Sequence, residues 1–275
     1  MPRAPGPSEG LDIDMQVAAW NLAKLLWALN IVASALVVWR LYSSRLHRTF
    51  RFFFILIIVQ LTRSLVLFPL APRSLTYYRI WSVTQPILWL FYILVVFELY
   101  SLVWKQYSGI YSLGRWFFFT AVATSVVVSA LVVLPTISGP PGKRPLMLYY
   151  AGLMERGLVT SLAVFLFLLL ALVTWFPVPL SRNLLTHCCV YSAYFFANNV
   201  TALYWYAGSR YATYWGSLFK LGIALACFSC WALLLSRDGE TRITSLQLGR
   251  SPLAEKRLLG QLEHLNATLL RTARK

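Results

Sequence analysis

Charged residues are scarce in this sequence. Asp, Glu, Lys and Arg make up 12% of its 275 residues, whereas a soluble domain carries about 25%. The chain also has only three histidines and nine acidic residues, so few groups are available for acid–base chemistry. It lacks a Gly-rich phosphate loop, a His-Glu-x-x-His motif and a Gly-x-Ser-x-Gly motif. The scarcity of charge excludes an ordinary soluble domain, and the missing motifs predict that the protein is not an enzyme.

Long hydrophobic runs replace the missing charge. Hydrophobic residues make up 59% of the chain, and a run of about 20 apolar residues is long enough to cross a bilayer as a helix. Backbone polar groups must be satisfied inside lipid, so the runs are helices and not isolated strands. We therefore predict an all-α, polytopic membrane protein with seven transmembrane helices. The runs cover residues 18–41, 50–70, 80–104, 116–136, 152–176, 184–206 and 212–235.

The pattern divides the chain into three regions. Residues 1–15 are polar and rich in Pro and Gly, so we expect a disordered N-terminal tail. Residues 16–236 are expected to form the seven-helix transmembrane domain. Residues 237–275 are basic and are expected to form a tail with an amphipathic helix at about 252–273.

The distribution of Lys and Arg predicts the orientation. Most basic residues lie after the odd-numbered runs, above all in the tail, and the positive-inside rule then places the N-terminus outside and the C-terminus in the cytoplasm. We expect a multi-pass protein of the plasma membrane. The net charge of +16 favours contact between the tail and anionic lipid of the inner leaflet. Nucleic-acid binding is not expected, because no folded basic module is present.

Several polar side chains are predicted to share the outer half of the bilayer. Ionisable residues at such depth are costly and indicate function or pairing. One interpretation is a water-filled cavity for a small anionic or carbonyl-bearing ligand, since cations outnumber acids there. The alternatives are ion pairs or interhelical hydrogen bonds that only hold helices together. The candidate ligand-binding residues are Lys220, Arg63, Asn198, Asn199, Gln85 and Glu155.

The inner half contains a buried acid and all the cysteines. Glu98 is expected to pair with an Arg, a His or a Tyr hydroxyl, or to titrate as a buried acid. His187 lies at a similar depth, and together with cysteines it could bind a soft metal or form a thiol redox pair. The alternative is that the cysteines pack as small apolar residues. The candidates for such a metal site are His187, Cys188, Cys227 and Cys230; Cys189 is the remaining cysteine.

Lys220 in the seventh run, with the N-terminus outside, resembles the outline of retinal-binding proteins. That resemblance implies a Schiff base between retinal and Lys220, with a carboxylate of the third helix as counter-ion. The sequence departs from it, because Gly216 occupies the position where microbial members have an acid. Glu98 also lies about 15 Å too deep. We therefore interpret Lys220 as a cation of the outer polar layer and predict no cofactor.

The tail carries one apolar stripe. Ser251-Pro252 is a favourable helix start, and leucines then recur at the spacing of one helical face. The helix could lie on the inner membrane surface. It could instead form a homodimer or bind a cytoplasmic protein partner. The stripe consists of Leu258, Leu262, Leu265 and Leu269.

These features favour a receptor or sensory module that binds a small ligand in the outer polar layer and signals through the tail to a partner. A small transporter or channel is the first alternative, and it would need polar residues through the full depth of the bilayer. A non-catalytic structural subunit of a membrane complex is the second.

Overall fold

The computed structural model describes most of the chain as a bundle of long helices. The described residues are 7–70, 74–105, 107–133, 146–175, 180–206, 210–241, 243–244, 260–264 and 266–268. The seven long helices are α1 (Pro7–Ser43), α2 (Arg51–Leu67), α3 (Leu75–Val103), α4 (Ser108–Val133), α5 (Leu146–Trp175), α6 (Arg182–Tyr206) and α7 (Arg210–Leu234). The smaller elements are a 3-10 turn (Leu46–Arg48), the short helix α8 (Asp238–Thr241) and the strands β1 (Leu180–Ser181) and β2 (Ile243–Thr244).

The predicted all-α class is confirmed, and four of the described helices are long and apolar enough to cross a membrane. Large apolar side chains on them face outward: Trp39 is 67% exposed and Leu233 is 77% exposed. Because exposing so many apolar side chains to water is energetically unfavourable, the chain is a multi-pass membrane protein. The four spans are Asn21–Ser43, Leu75–Val103, Met154–Trp175 and Trp215–Leu234.

Two details go beyond the sequence analysis. Helix α1 begins at Pro7, inside the region 1–15 that the sequence analysis assigned to an N-terminal tail; residues 1–6 lie outside the described part. Pro fits the first turn of a helix, and the acidic residues that follow favour its positive end. The second detail is the antiparallel pair of β1 and β2, in which Leu180 faces Thr244.

The helices form a ring with α4 on its outside. Helix α1 packs between α2 and α7, α6 packs between α5 and α7, and α3 packs against α2 and α5, while α4 packs mainly against α5. The C-terminal ends of α1 and α7 meet, because Arg40 Nε donates to Leu235 O at 3.0 Å. We call this side, from which the tail emerges, the tail end, and the other side the opposite end.

Glu98 caps helix α2 at the tail end. Its two carboxylate oxygens accept hydrogen bonds from the backbone N–H groups of Phe52 and Phe53, at 3.2 and 3.3 Å. The first N–H groups of a helix have no partner within it, and the N-cap residue Phe50 offers no side-chain acceptor. Backbone amides at the start of α2 thus serve as hydrogen-bond partners of the carboxylate, and Arg51 acts on it electrostatically.

The beginning of the tail is fastened to α6 by Asn183, which is fully buried. Its Nδ2 donates to Ser236 O at 2.8 Å and to the Glu240 carboxylate at 3.2 Å, and its Oδ1 accepts from Ser236 N at 3.3 Å. A side chain at Gly239 would collide with Asn183, so the glycine permits this close approach. The tail therefore turns back against the bundle directly after α7.

The end of the tail crosses to α4. Residues 260–264 and 266–268 are helical, and we call them the tail helix. Leu262 is 1% exposed and belongs to the hydrophobic core. Asn266 Oδ1 accepts from Gly109 N, in the first turn of α4, at 2.7 Å. Burial, with the Glu263 carboxylate nearby, raises the pKa of Tyr107. The tail helix thus packs on its own bundle; Leu258, Leu265 and Leu269 of the predicted stripe lie outside the described residues.

Glu98→Ala is expected to destabilise the protein by about 1–3 kcal/mol, because two buried backbone donors lose their acceptor. Glu98→Gln keeps one oxygen and should cost less. Denaturation of the purified protein in detergent measures both, with the exposed Asp238→Ala as control. Equal stability of Glu98→Ala and Asp238→Ala would contradict the capping role.

Asn266→Ala is expected to loosen the tail helix, because α4 then loses the acceptor for Gly109 N. A lost hydrogen bond of about 1 kcal/mol raises the population of the detached tail about fivefold. The rate of tryptic cleavage after Lys256 or Arg257 measures this population. Asn266→Asp keeps the Oδ1 acceptor and should resist cleavage like the original protein. Exposed His264→Ala is the control, and cleavage as fast as in Asn266→Ala would show that the hydrogen bond does not matter.

Candidate functional site

A network of polar side chains joins three helices toward the opposite end. Glu155 of α5 lies 3.5 Å from Lys220 Nζ of α7, and it accepts a hydrogen bond from Gln85 Nε2 of α3 at 2.9 Å. Three residues predicted for the outer layer therefore come together around one carboxylate. An ion pair of this kind lowers the cost of placing each charge in a bilayer.

The ion pair joins two helices that both pack on α6. Lys220 of α7 and Glu155 of α5 reach toward each other past that helix. Their side chains nevertheless keep 44% and 21% of their surface accessible. Both charged groups are therefore accessible from outside the bundle.

Arg63 of α2 adds a second cation. Its guanidinium lies over the ring of Trp81, 5.6 Å from the ring centre. Glu155 and Tyr92 are close enough to act on it electrostatically, yet within the described part of the chain no carboxylate lies within ion-pair distance of Arg63. Its Nε is buried and has no acceptor among those residues. We call Lys220, Glu155, Gln85 and Arg63 the polar cluster. These four residues comprise two cations, one anion and one neutral amide.

Two hydrogen-bonded tyrosines lie beside the polar cluster. The hydroxyls of Tyr92 on α3 and Tyr194 on α6 lie 3.2 Å apart, and both residues are buried. Arg63 and Lys220 both interact electrostatically with Tyr194. Our sequence analysis missed this pair, because a tyrosine within an apolar run looks like a core or interface residue.

Asn30 is a further polar residue that the sequence analysis missed. Its Nδ2 donates to Leu26 O at 2.8 Å and to Leu221 O at 3.0 Å. It therefore ties α1 to α7 beside Lys220. The signal was available, since an Asn inside a spanning helix usually bonds to a neighbouring helix.

The two asparagines of the predicted site both donate to carbonyls of their own helix. Asn198 Nδ2 donates to Tyr194 O in its own helix at 2.9 Å. Asn199 Nδ2 does the same to Phe195 O at 2.9 Å, and its Oδ1 accepts from the Thr160 hydroxyl of α5. The contact between Asn199 and Thr160 matches the alternative role of linking helices.

An aromatic layer lies between the cluster and the tail end. His187 is fully buried, with ring-centre distances of 4.3 Å to Phe50 and 4.5 Å to Phe53. Tyr191 and Trp231 lie 4.8 Å apart beside it. This packing fills the interior with rings.

The cysteines do not assemble with His187. Cys188 and Cys227 are buried, and Cys227 Sγ donates weakly to Val190 O at 3.8 Å. Cys189 and Cys230 face outward as free thiols. Within the described residues, no three His, Cys, Asp or Glu side chains are arranged to hold a metal ion. Nor does Lys220 face a carboxylate of α3, as the retinal outline implies; its acidic partner is Glu155 of α5.

No protein-family model matches this chain, and no curated protein or solved structure shows significant similarity to it. The chemistry of the cluster therefore has to be inferred from its own residues.

Lys220→Met is expected to lower the thermal stability in detergent, because Glu155 then loses its ion-pair partner. Adding Glu155→Gln should recover part of that loss. The coupling between the two changes should be about 0.5–1 kcal/mol, since Lys220 is partly exposed. The exposed Lys105→Met at the tail end is the control. Strictly additive effects of Lys220→Met and Glu155→Gln would mean that the ion pair contributes nothing.

Proposed function

We propose that the chain crosses the plasma membrane seven times, with the N-terminus outside and the tail in the cytoplasm. The four candidate spans lie on α1, α3, α5 and α7. The chain must return between them, and α2, α4 and α6 are packed along them in a position to do so. Basic residues of the first loop and of the tail then share the cytoplasmic side.

We propose further that the protein is a receptor or sensory module. The polar cluster binds a small ligand, and the tail transmits the change to a cytoplasmic partner. The observation that carries this proposal is the Lys220–Glu155 pair, which joins α5 to α7 and keeps accessible surface. This accessible surface leaves both charges within reach of a ligand and avoids the full desolvation cost of a buried ion pair.

Helix α7 offers a direct route between the cluster and the tail. Lys220 and Leu235 are separated by 15 residues of this helix and its last turn, about 22 Å. Arg40 and Asn183 hold the chain at Leu235 and Ser236. A ligand that displaces Lys220 would shift α7 and strain these hydrogen bonds. Release of the tail helix would then expose Leu262 to a partner, including a second copy of the chain or the anionic inner leaflet.

A transporter or channel is less well supported. A permeating solute would have to pass the rings of Tyr92 and Tyr194 and then the buried layer around His187. Polar side chains that could replace solvent are scarce in that layer, as the sequence analysis expected for such a pathway. A structural subunit of a complex is also less well supported, because that role does not require accessible surface beside Lys220.

The test measures coupling between the cluster and the tail. In a variant with all four cysteines changed to Ala, Leu262→Cys places one buried thiol under the tail helix. Its rate of maleimide labelling reports how often the tail helix opens. Lys220→Met and Glu155→Gln should each change this rate several-fold, whereas Lys105→Met should not.

An unchanged labelling rate in both Lys220→Met and Glu155→Gln would contradict the receptor proposal. It would favour the alternative that the protein is a structural subunit of a membrane complex. Uptake of a solute by liposomes that contain the protein, and its loss in Lys220→Met, would establish transport instead.

A further inference from the structure

Hydrogen-bond donors outnumber hydrogen-bond acceptors among the described residues of the polar cluster. This imbalance indicates that the cluster lacks an acceptor. Arg63, Lys220 and the Gln85 amide bring ten N–H donors between them. Their carboxylate acceptor within the described residues is Glu155, which already receives Lys220 and Gln85. Arg63 Nε has no acceptor there.

The tyrosine pair adds to the excess. When Tyr92 and Tyr194 share a hydrogen bond at 3.2 Å, one hydroxyl donates and the other accepts. The accepting hydroxyl keeps its own proton for another partner. Arg63 interacts electrostatically with both tyrosines, so the tyrosine pair lies in the neighbourhood of its guanidinium.

The charge balance points the same way. An Arg side chain does not lose its proton in a protein, so Arg63 cannot become neutral to escape a low-dielectric surrounding. The ring of Trp81 supports the guanidinium but supplies no negative charge. A second anion beside Arg63 would neutralise the cluster.

We propose that the ligand of this cluster carries an oxyanion, a carboxylate or a phosphate, which binds Arg63 and the Tyr92–Tyr194 pair. The inference rests on the proposed function, because it specifies the ligand of the same site. A guanidinium presents its N–H groups as a planar fork that matches the two oxygens of such a group. The ligand's body lies against the rings of Trp81 and Tyr92. The oxyanion belongs either to a small solute or to a lipid headgroup.

Binding of benzoate and of its neutral counterpart benzamide to delipidated protein in detergent tests the charge requirement. Benzoate should bind and benzamide should not. Arg63→Gln should weaken benzoate binding about tenfold or more, the loss of one charged hydrogen bond. Arg79→Gln removes the same charge from an exposed position of α3 and should have no effect. Glu155→Gln removes the competing anion and should strengthen binding.

The lipid source is tested with nanodiscs of phosphatidylglycerol or phosphatidylcholine. Stabilisation by phosphatidylglycerol that disappears in Arg63→Gln, without benzoate binding, identifies a headgroup as the oxyanion. Equal binding of benzoate and benzamide would overturn the proposal. So would equal losses in Arg63→Gln and Arg79→Gln, or no response to either source of anion. If Arg63→Gln does not fold, weaker binding in Glu155→Gln overturns it.

Labelling of Leu262→Cys in the same samples separates the two proposals. Benzoate that binds through Arg63 without changing the labelling rate contradicts the receptor function and supports the oxyanion site. A neutral compound that binds the cluster and changes the rate contradicts the oxyanion and supports the receptor.

Discussion

The tail end depends on one constraint, the need of helix-end backbone groups for hydrogen-bond partners. Three helices, α2, α4 and α6, begin there, and the N-cap residue of α2 makes no side-chain cap. Glu98 supplies acceptors for α2 from a neighbouring helix, and Asn266 supplies one for α4 from the tail. Arg40 serves the last carbonyl beyond α7. Because these three partners come from other elements, the loops, the tail and the bundle hold one another in place.

The opposite end follows a different rule, that of charge balance in a low dielectric. Glu155 lies between Lys220 and Gln85 and so offsets one cation. Arg63 is held by Trp81, a weaker partner than a carboxylate. An imbalance of this kind costs stability, and proteins accept such a cost mainly at functional sites. The two ends thus differ: at the tail end backbone groups find acceptors from other elements, and at the opposite end Arg63 Nε keeps an unused donor.

The sequence was informative where apolar length and charge carry the signal. The hydrophobic runs located the seven long helices, and the cost of charged and polar groups within a bilayer singled out Lys220, Glu155, Gln85 and Arg63, which the structure brings to one cluster. It was uninformative where a partner depends on rotation about a helix axis. Asn199 faces Thr160, and Glu98 faces the start of α2, because small differences in helix orientation decide these contacts. Tyr92 and Tyr194 were missed for the same reason, since two tyrosines from separate runs pair only after the bundle has formed.

Helix α6 runs between the two ends as a single rigid element. Asn183 and Tyr194 are 11 residues apart, about three full turns, so their side chains lie on nearly the same face about 16 Å from each other. One residue holds the start of the tail and the other reaches the cluster. A rotation of α6 about its own axis would therefore move both contacts in the same direction. Rotation of this helix, more than translation along its axis, would couple the two ends of the protein.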